Sequence, residues 1–182
     1  KNIILIGAGG LGKEVFHWFN SDDEFEYNIK GFLDRSNPDF SQYKIKPKFL
    51  GNEDSYHFSD NDFVAITIAD IEARTKIYSK LKHKVKFSNL IHSRSIVSNN
   101  VEIGLGNIIC PNCIISNSVV MGDNNFMNIN SWKMDQIWVK RTCRHNLFHL
   151  YHTNFTTHGG WRIKISRCFS KYEVSCFICF PG

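Results

Sequence analysis

The residues best suited to chemistry in this chain stand where apolar runs end. Gly7-Ala8-Gly9-Gly10-Leu11-Gly12 follows the run Ile3-Ile4-Leu5-Ile6 and precedes Val15, Phe16 and Phe19, which fall at helical spacing. Glycines at a strand-to-helix turn let the backbone bend tightly and bring its N–H groups close to a phosphate at the helix N-terminus. The same layout also serves as a tight turn with no ligand. Asp34-Arg35 closes a second apolar run, 29–33. An acid there is placed to bind a ribose hydroxyl, and equally to be a solvated turn residue. Ala69-Asp70 closes a third run, Phe63 to Ile68. That is the carboxyl edge at which open α/β sheets bind ligands.

These residues need a short parallel sheet to hold them. Short, β-branched runs bounded by glycine are the mark of strands buried on both faces. The spacing predicts strands at 2–6, 29–33, 63–68 and 85–87, a short strand ending at Leu50-Gly51, and a helix from Ile71 to His83 that buries Ile71, Ile77 and Leu81. The expected unit is a Rossmann-like α/β domain over residues 1–88. It is small for a complete nicotinamide-binding domain.

A different periodicity begins after Asn89-Leu90-Ile91-His92. Every sixth residue from Val97 is aliphatic or a thioether: Val97, Ile103, Ile109, Ile115, Met121, Met127. Two positions earlier stand Ser95, Val101, Asn107, Cys113, Val119 and Asn125, and just after come Ser98, Gly104, Cys110, Ser116, Gly122 and Asn128. A period of six matches neither a helix nor an alternating strand. It matches a solenoid in which three short strands make one coil and each strand turns one aliphatic side chain inward. Glycine and asparagine suit the corners because they tolerate positive φ. His92, alone before the first coil, reads as a capping or surface residue.

Composition narrows the function classes. An apolar fraction of 42% in 182 residues suffices for a packed core. No apolar run reaches the length of a membrane span, so no membrane insertion is expected. The N-terminus lacks the charged-then-apolar layout of a secretory signal, and a cytoplasmic location is expected. The net charge of +5 is uneven: residues 132–182 hold eight Lys/Arg against Asp135 and Glu173, so the first 131 residues are close to neutral. Nucleic acid is therefore not an expected partner.

Taken in order, these parts resemble the NeuD/PglD-like sugar O- and N-acetyltransferases. The resemblance rests on Ile3–Gly10, Gly31–Asp34, Ala65–Arg74 with Lys76-Ile77-Tyr78, Asn89–His92 and the hexads, and covers residues 2–131. It implies a left-handed parallel β-helix that assembles as a homotrimer, with acetyl-CoA as co-substrate between neighbouring coils. It implies an acceptor that is a sugar or a UDP-linked or other nucleotide-linked amino sugar of surface-glycan biosynthesis. Carried onto this sequence, the acceptor-binding residues are Gly7, Gly9, Gly10, Leu11, Asp34, Arg35, Ala69 and Asp70. Leu11 stands where a histidine is common in that loop, and Ala69 where a glycine is common. Both departures bear on the acceptor.

The family pattern stops at Ser131. A histidine acting as general base, the group acyl transfer needs beside the acceptor, would fall near position 135, where this chain has Asp135. No catalytic residue is assigned. Three of four tryptophans and four of six cysteines follow residue 131. When the codons of 134–138 are read from their third bases, they specify Gly, Ser or Pro, Asn or Asp, Leu or Met, and Gly. That is the character of a continuing coil. Residues 132–182 are accordingly read as a frameshifted tail with no fold of its own, and residues 89–131 as a truncated β-helix. Cys110-x-x-Cys113 and Cys176-x-x-Cys179 have thiolate spacing for zinc. However, Cys110 and Cys113 already fill hexad positions, and no metal is expected. Basic residues interleaved with tryptophan and tyrosine, and the histidines 145, 149 and 152, give the tail no better assignment. Two alternatives remain: a non-catalytic nucleotide- or sugar-binding protein, and an NAD-dependent oxidoreductase.

Overall fold

The computed structural model describes residues 1–44 and 47–133, with the strand backbones at 138–139, 144–145, 153–155 and 161–163 beyond them. The chain opens with a five-stranded, wholly parallel sheet in the order β3-β2-β1-β4-β5. Its strands are β1 (Asn2–Ile6), β2 (Asn28–Leu33), β3 (Phe49–Gly51), β4 (Asp62–Ile66) and β5 (Lys86–Phe87). Alternate residues of β1 point to opposite faces. Ile3 and Leu5 pack with Val15, Phe16 and Phe19 of α1 (Gly10–Asn20), and Ile4 and Ile6 with Ile77, Tyr78 and Leu81 of α2 (Ile71–Leu81).

The helix after β4 differs from its expected stripe. Ile71 is exposed at the helix start, and the buried position one turn on is Arg74, 3% exposed. Apolar periodicity passes over an arginine, whose burial depends on acceptors that only the tertiary structure supplies.

The hexads form a solenoid. Its two-residue strands stack in three parallel sheets, each strand on the one eighteen residues away: Leu90 beside Ile108, Ile108 beside Phe126, Ile96 beside Ile114, Glu102 beside Val120. Ile109, Ile115, Met121 and Met127 are buried inside. The corners fall three residues after the aliphatic position. Gly106, Asn112, Ser118, Asn124 and Asn130 all have φ between 55° and 74°, one for each six residues. Asparagine visits this left-handed region at low cost, and a lone serine is tolerated there.

Backbone stacking passes the expected boundary at residue 131. Trp132–Lys133 pairs with Ile114–Ile115, Trp138–Val139 with Val120–Met121, and Arg144–His145 with Phe126–Met127. The strand repeat thus persists where the aliphatic repeat has ended. The assignment of residues 132–182 as a frameshifted tail, the tail histidines, Asp135 and the Cys176/Cys179 pair otherwise lie outside the described residues.

One column of asparagines runs through the coils. The Asn107 N–H donates to Asn89 Oδ1 at 2.8 Å, and the Asn125 N–H donates to Asn107 Oδ1 at 2.8 Å. The Asn125 side-chain amide adds a second bond to Asn107 Oδ1 at 3.0 Å. Asn107 and Asn125 are fully buried.

The sheet sits against the solenoid. Leu90, Ile108 and Phe126, on one solenoid face, share a core with Phe19 and Phe32. His92 belongs to this junction and is not a surface residue: it is 5% exposed, its ring meets that of Phe19 in a tilted contact at 5.6 Å between centroids, and it lies 3.4 Å from Asp22. No helix among the described residues is long and apolar enough to cross a membrane.

Candidate functional site

The strand order reverses between β1 and β4, and such a switch point leaves a crevice at the carboxyl ends of the strands. A cleft of about 180 Å³ lies there, lined by Ile6, Gly7, Asp34, Arg35, Glu53, Ile68, Ala73, Lys76 and Ile77.

Its floor is a fixed backbone turn. Gly7 has φ +106°, and a Cβ on it would overlap the Ile68 side chain. The Gly7 N–H donates to Leu33 O at 2.8 Å, and the buried Thr67 hydroxyl donates to Gly7 O at 2.6 Å. A Cβ on Gly12 would overlap the Gly7 carbonyl, so glycine at 12 lets α1 close onto β1. Gly9 and Gly10 differ. They are exposed, and a Cβ on either would meet nothing within 4 Å. Gly9 is the N-cap of α1, and no side chain caps that end. The backbone there lies open to an approaching group.

Asp34 joins the second strand to the glycine turn. Its Oδ2 accepts the Ala8 N–H at 2.7 Å, and its Oδ1 accepts the Ser36 N–H and hydroxyl at 3.0 Å each. Burial pushes the carboxyl pKa up, but these bonds, the Ala8 one foremost, outweigh it and hold the group below its usual value. Asp34 is thus a fixed carboxylate, with acceptor capacity left for a hydroxyl donor. Beside it, Arg35 Nε bonds Glu53 Oε1 at 3.2 Å; the Glu53 side chain is 2% exposed and that of Arg35 66%. The guanidinium is anchored at one edge and open to solvent at the other.

The structure brings Gly7, Asp34 and Arg35 together around the cleft. Gly9 and Gly10 stand on the same turn beyond its lining, and Leu11 is half-buried. Ala69 and Asp70 are exposed and do not line it. Asp70 caps α2, accepting the Ala73 N–H at 2.8 Å. Serving as a cap explains an acid at that position on local grounds alone. Sequence reasoning did not assign Glu53, which comes from a loop with no periodicity, or Lys76 to the site, and both line the cleft. A buried glutamate has no signature without its partner arginine.

Cys110 and Cys113 are buried free thiols in the solenoid. Burial, with Cys113 nearby, pushes the Cys110 pKa far up, and burial pushes that of Cys113 up to about 11. Neither is poised for metal or nucleophilic chemistry. Among the described residues no three His, Cys, Asp or Glu side chains gather as a metal site.

Comparison with known proteins bears on this geometry. Residues 2–81 match the family model of the PglD N-terminal domain. A comparison with curated protein sequences finds no match. Among solved structures, the chain is similar to the acetyltransferase domain of PglB from Neisseria gonorrhoeae, with TM-score 0.67 and 16% identity over 79% of this chain and 69% of that one. It is similar to PerB from Caulobacter crescentus, solved with CoA and GDP-perosamine, with TM-score 0.64 and 18% identity over 79% and 68%. It is also similar to WeeI from Acinetobacter baumannii, with TM-score 0.59 and 26% identity over 72% and 63%. The PglB domain has also been solved with acetyl coenzyme A.

Proposed function

We propose, on the premise that residues 2–81 are a PglD N-terminal domain, that this chain is built as an acetyl-CoA-dependent acetyltransferase whose acceptor is a nucleotide-linked amino sugar. The observation that carries the proposal is the open cleft at the switch point. It offers the fixed Asp34 carboxylate for a ribose hydroxyl and Arg35 and Lys76 for anionic or polar groups, and the exposed Gly9-Gly10 backbone on the adjoining turn, outside the lining, is open to a phosphate. Sugar nucleotides present all three kinds of group. The PerB complex with CoA and GDP-perosamine supports the same pairing of ligands, and acetyl-CoA is the proposed co-substrate.

The coenzyme would lie along the solenoid, and the acceptor cleft sits on the domain packed against that solenoid. Assembly as a homotrimer is supported by exposed apolar residues on one solenoid face, Ile96 and Ile114, stacked in neighbouring coils. With aspartate at position 135, where the family resemblance places the histidine base, turnover by the sequence as it stands is expected to be weak.

A second reading is a nucleotide-sugar-binding protein without catalysis. It is favoured by the cleft's confinement to residues 6–77, which makes binding independent of the segment after residue 131. An NAD-dependent oxidoreductase ranks last, because it leaves the solenoid that follows the five-stranded sheet without a purpose.

The test is an acetyl-transfer assay with acetyl-CoA and UDP- and GDP-linked amino sugars, paired with sequencing of the coding DNA across codons 128–182. A base gained or lost there, with the corrected chain active, supports the enzyme. A confirmed frame with binding and no transfer supports the second reading. A confirmed frame with neither defeats both.

A further inference from the structure

The first turns of α2 face the cleft on one side and the solenoid on the other. Ala73, Lys76 and Ile77 line the cleft. Arg74, between them, points away into the junction and is 3% exposed. Its Nε donates to Asn124 Oδ1 at 3.1 Å, and its Nη2 donates to Asn125 O at 3.1 Å. Its guanidinium also lies over the Phe126 ring, 5.8 Å from the centroid. These three residues are consecutive in one coil. Asn124 is a corner residue with φ 56°, and its N–H bonds Leu105 O of the preceding coil at 2.8 Å. Asn125 belongs to the buried asparagine column. One guanidinium therefore ties the cleft-lining helix to a corner, a column and an aromatic ring of the solenoid.

Burial of a guanidinium is costly unless its donors are met. Helix packing alone does not call for an arginine here; Ile77, Tyr78 and Leu81 already bury the apolar stripe of α2. A planar fork with donors aimed at two fixed acceptors sets both distance and rotation between the elements it joins, and a lysine ammonium, a compact point charge, does not. We infer that Arg74 is the positioning residue that holds the acceptor cleft in register with the solenoid, so that occupancy of the cleft is felt at the 124–126 corner. The inference rests on the acceptor reading of the cleft.

The test is amide hydrogen exchange on the full chain, free and saturated with UDP or GDP, for the wild type, Arg74→Lys and Asn124→Gly. Arg74→Lys keeps the charge, and Asn124→Gly removes the Oδ1 acceptor while keeping a residue suited to positive φ. In the wild type, nucleotide should slow exchange across 71–81 and also at the amides of Asn124, Asn125 and Phe126, by about tenfold. In Arg74→Lys, nucleotide affinity should stay within about twofold and the slowing at 71–81 should persist, while the slowing at 124–126 should fall to about twofold or less. Asn124→Gly should act in the same direction. A general loss of structure would instead speed exchange in all regions with or without nucleotide. Bound nucleotide that protects 71–81 but leaves 124–126 unchanged in the wild type overturns the inference alone, as do variants that transmit like the wild type. Nucleotide that fails to protect 71–81 at all overturns the acceptor reading, and the inference with it.

Discussion

The Oδ2 of Asp34 lies 2.7 Å from the backbone nitrogen of Ala8, joining the end of β2 to the glycine turn after β1. One carboxylate thus fixes the β1–β2 side of the cleft. Asp22 and Asp62 do similar work elsewhere. Asp22 accepts the Ser93 N–H at the junction with the solenoid, and Asp62 takes the Lys30 ammonium and the Ser59 N–H. For all three, burial raises the pKa, but the hydrogen bonds and charges around them hold it below the usual value.

The pH dependence follows from that sign. A carboxyl with a depressed folded pKa binds its proton less readily when folded than when unfolded. Its contribution is complete above the unfolded pKa of about 3.9 and is lost as pH falls through the lower folded value. Asp34→Asn should flatten this acid limb and reduce stability at pH 7 by about 1–3 kcal/mol. Urea unfolding midpoints from neutral to acid pH measure both. An acid limb as steep in the variant as in the wild type contradicts the role given to Asp34.

The glycines of the turn separate by function. Gly12→Ala forces a methyl group onto the Gly7 carbonyl and should lower thermal stability strongly, by about 2 kcal/mol or more. Gly10→Ala meets no protein atom. It should leave stability unchanged or raise it by about 0.5–1 kcal/mol through better helix propensity, while weakening sugar-nucleotide binding. Thermal melts and titrations of the two variants separate the effects. Equal loss of stability in both would remove the argument that Gly10 faces a ligand.

Asn107, fully buried, accepts two bonds from Asn125 and donates to Asn89. Asn107→Ala leaves the Asn125 N–H and side-chain amide without that acceptor and should cost about 2–4 kcal/mol. The loss should appear as earlier unfolding of the solenoid, followed by exchange at residues 107–127. A neutral variant would mean that water replaces the missing carbonyl.

Cys113, pushed up to about 11, and the more strongly shifted Cys110 should be almost wholly thiol at pH 8. Alkylation of the folded chain, mapped by mass spectrometry, should spare both residues until denaturant is added. Labelling of either in the native state at the rate of a free thiol would contradict their placement.

Two kinds of information in the sequence carried unequally into the structure. Side-chain periodicity foretold the strands around Ile4, Phe32 and Val64 and the solenoid interior at Ile109, Ile115 and Met121, because burial repeats with the backbone that produces it. Gly7, Asp34 and Arg35, singled out by position at strand ends, line the cleft. Glu53 and Arg74 were illegible, since each is buried only through a partner distant in sequence, Arg35 for the one and Asn124 and Asn125 for the other. Asp70 shows the converse: an acid at a strand end is also what a helix N-cap requires. The corners fall two residues beyond the small residues that follow each aliphatic position, because small side chains occur on both sides of each bend, and only φ tells them apart.

The most direct test of the central claim is a calorimetric titration of the full chain with UDP- and GDP-linked amino sugars, with NAD in parallel. The account predicts saturable binding of a sugar nucleotide at one site per chain, weakened in Gly10→Ala, and no heat from NAD. Binding of NAD with neither sugar nucleotide would contradict it.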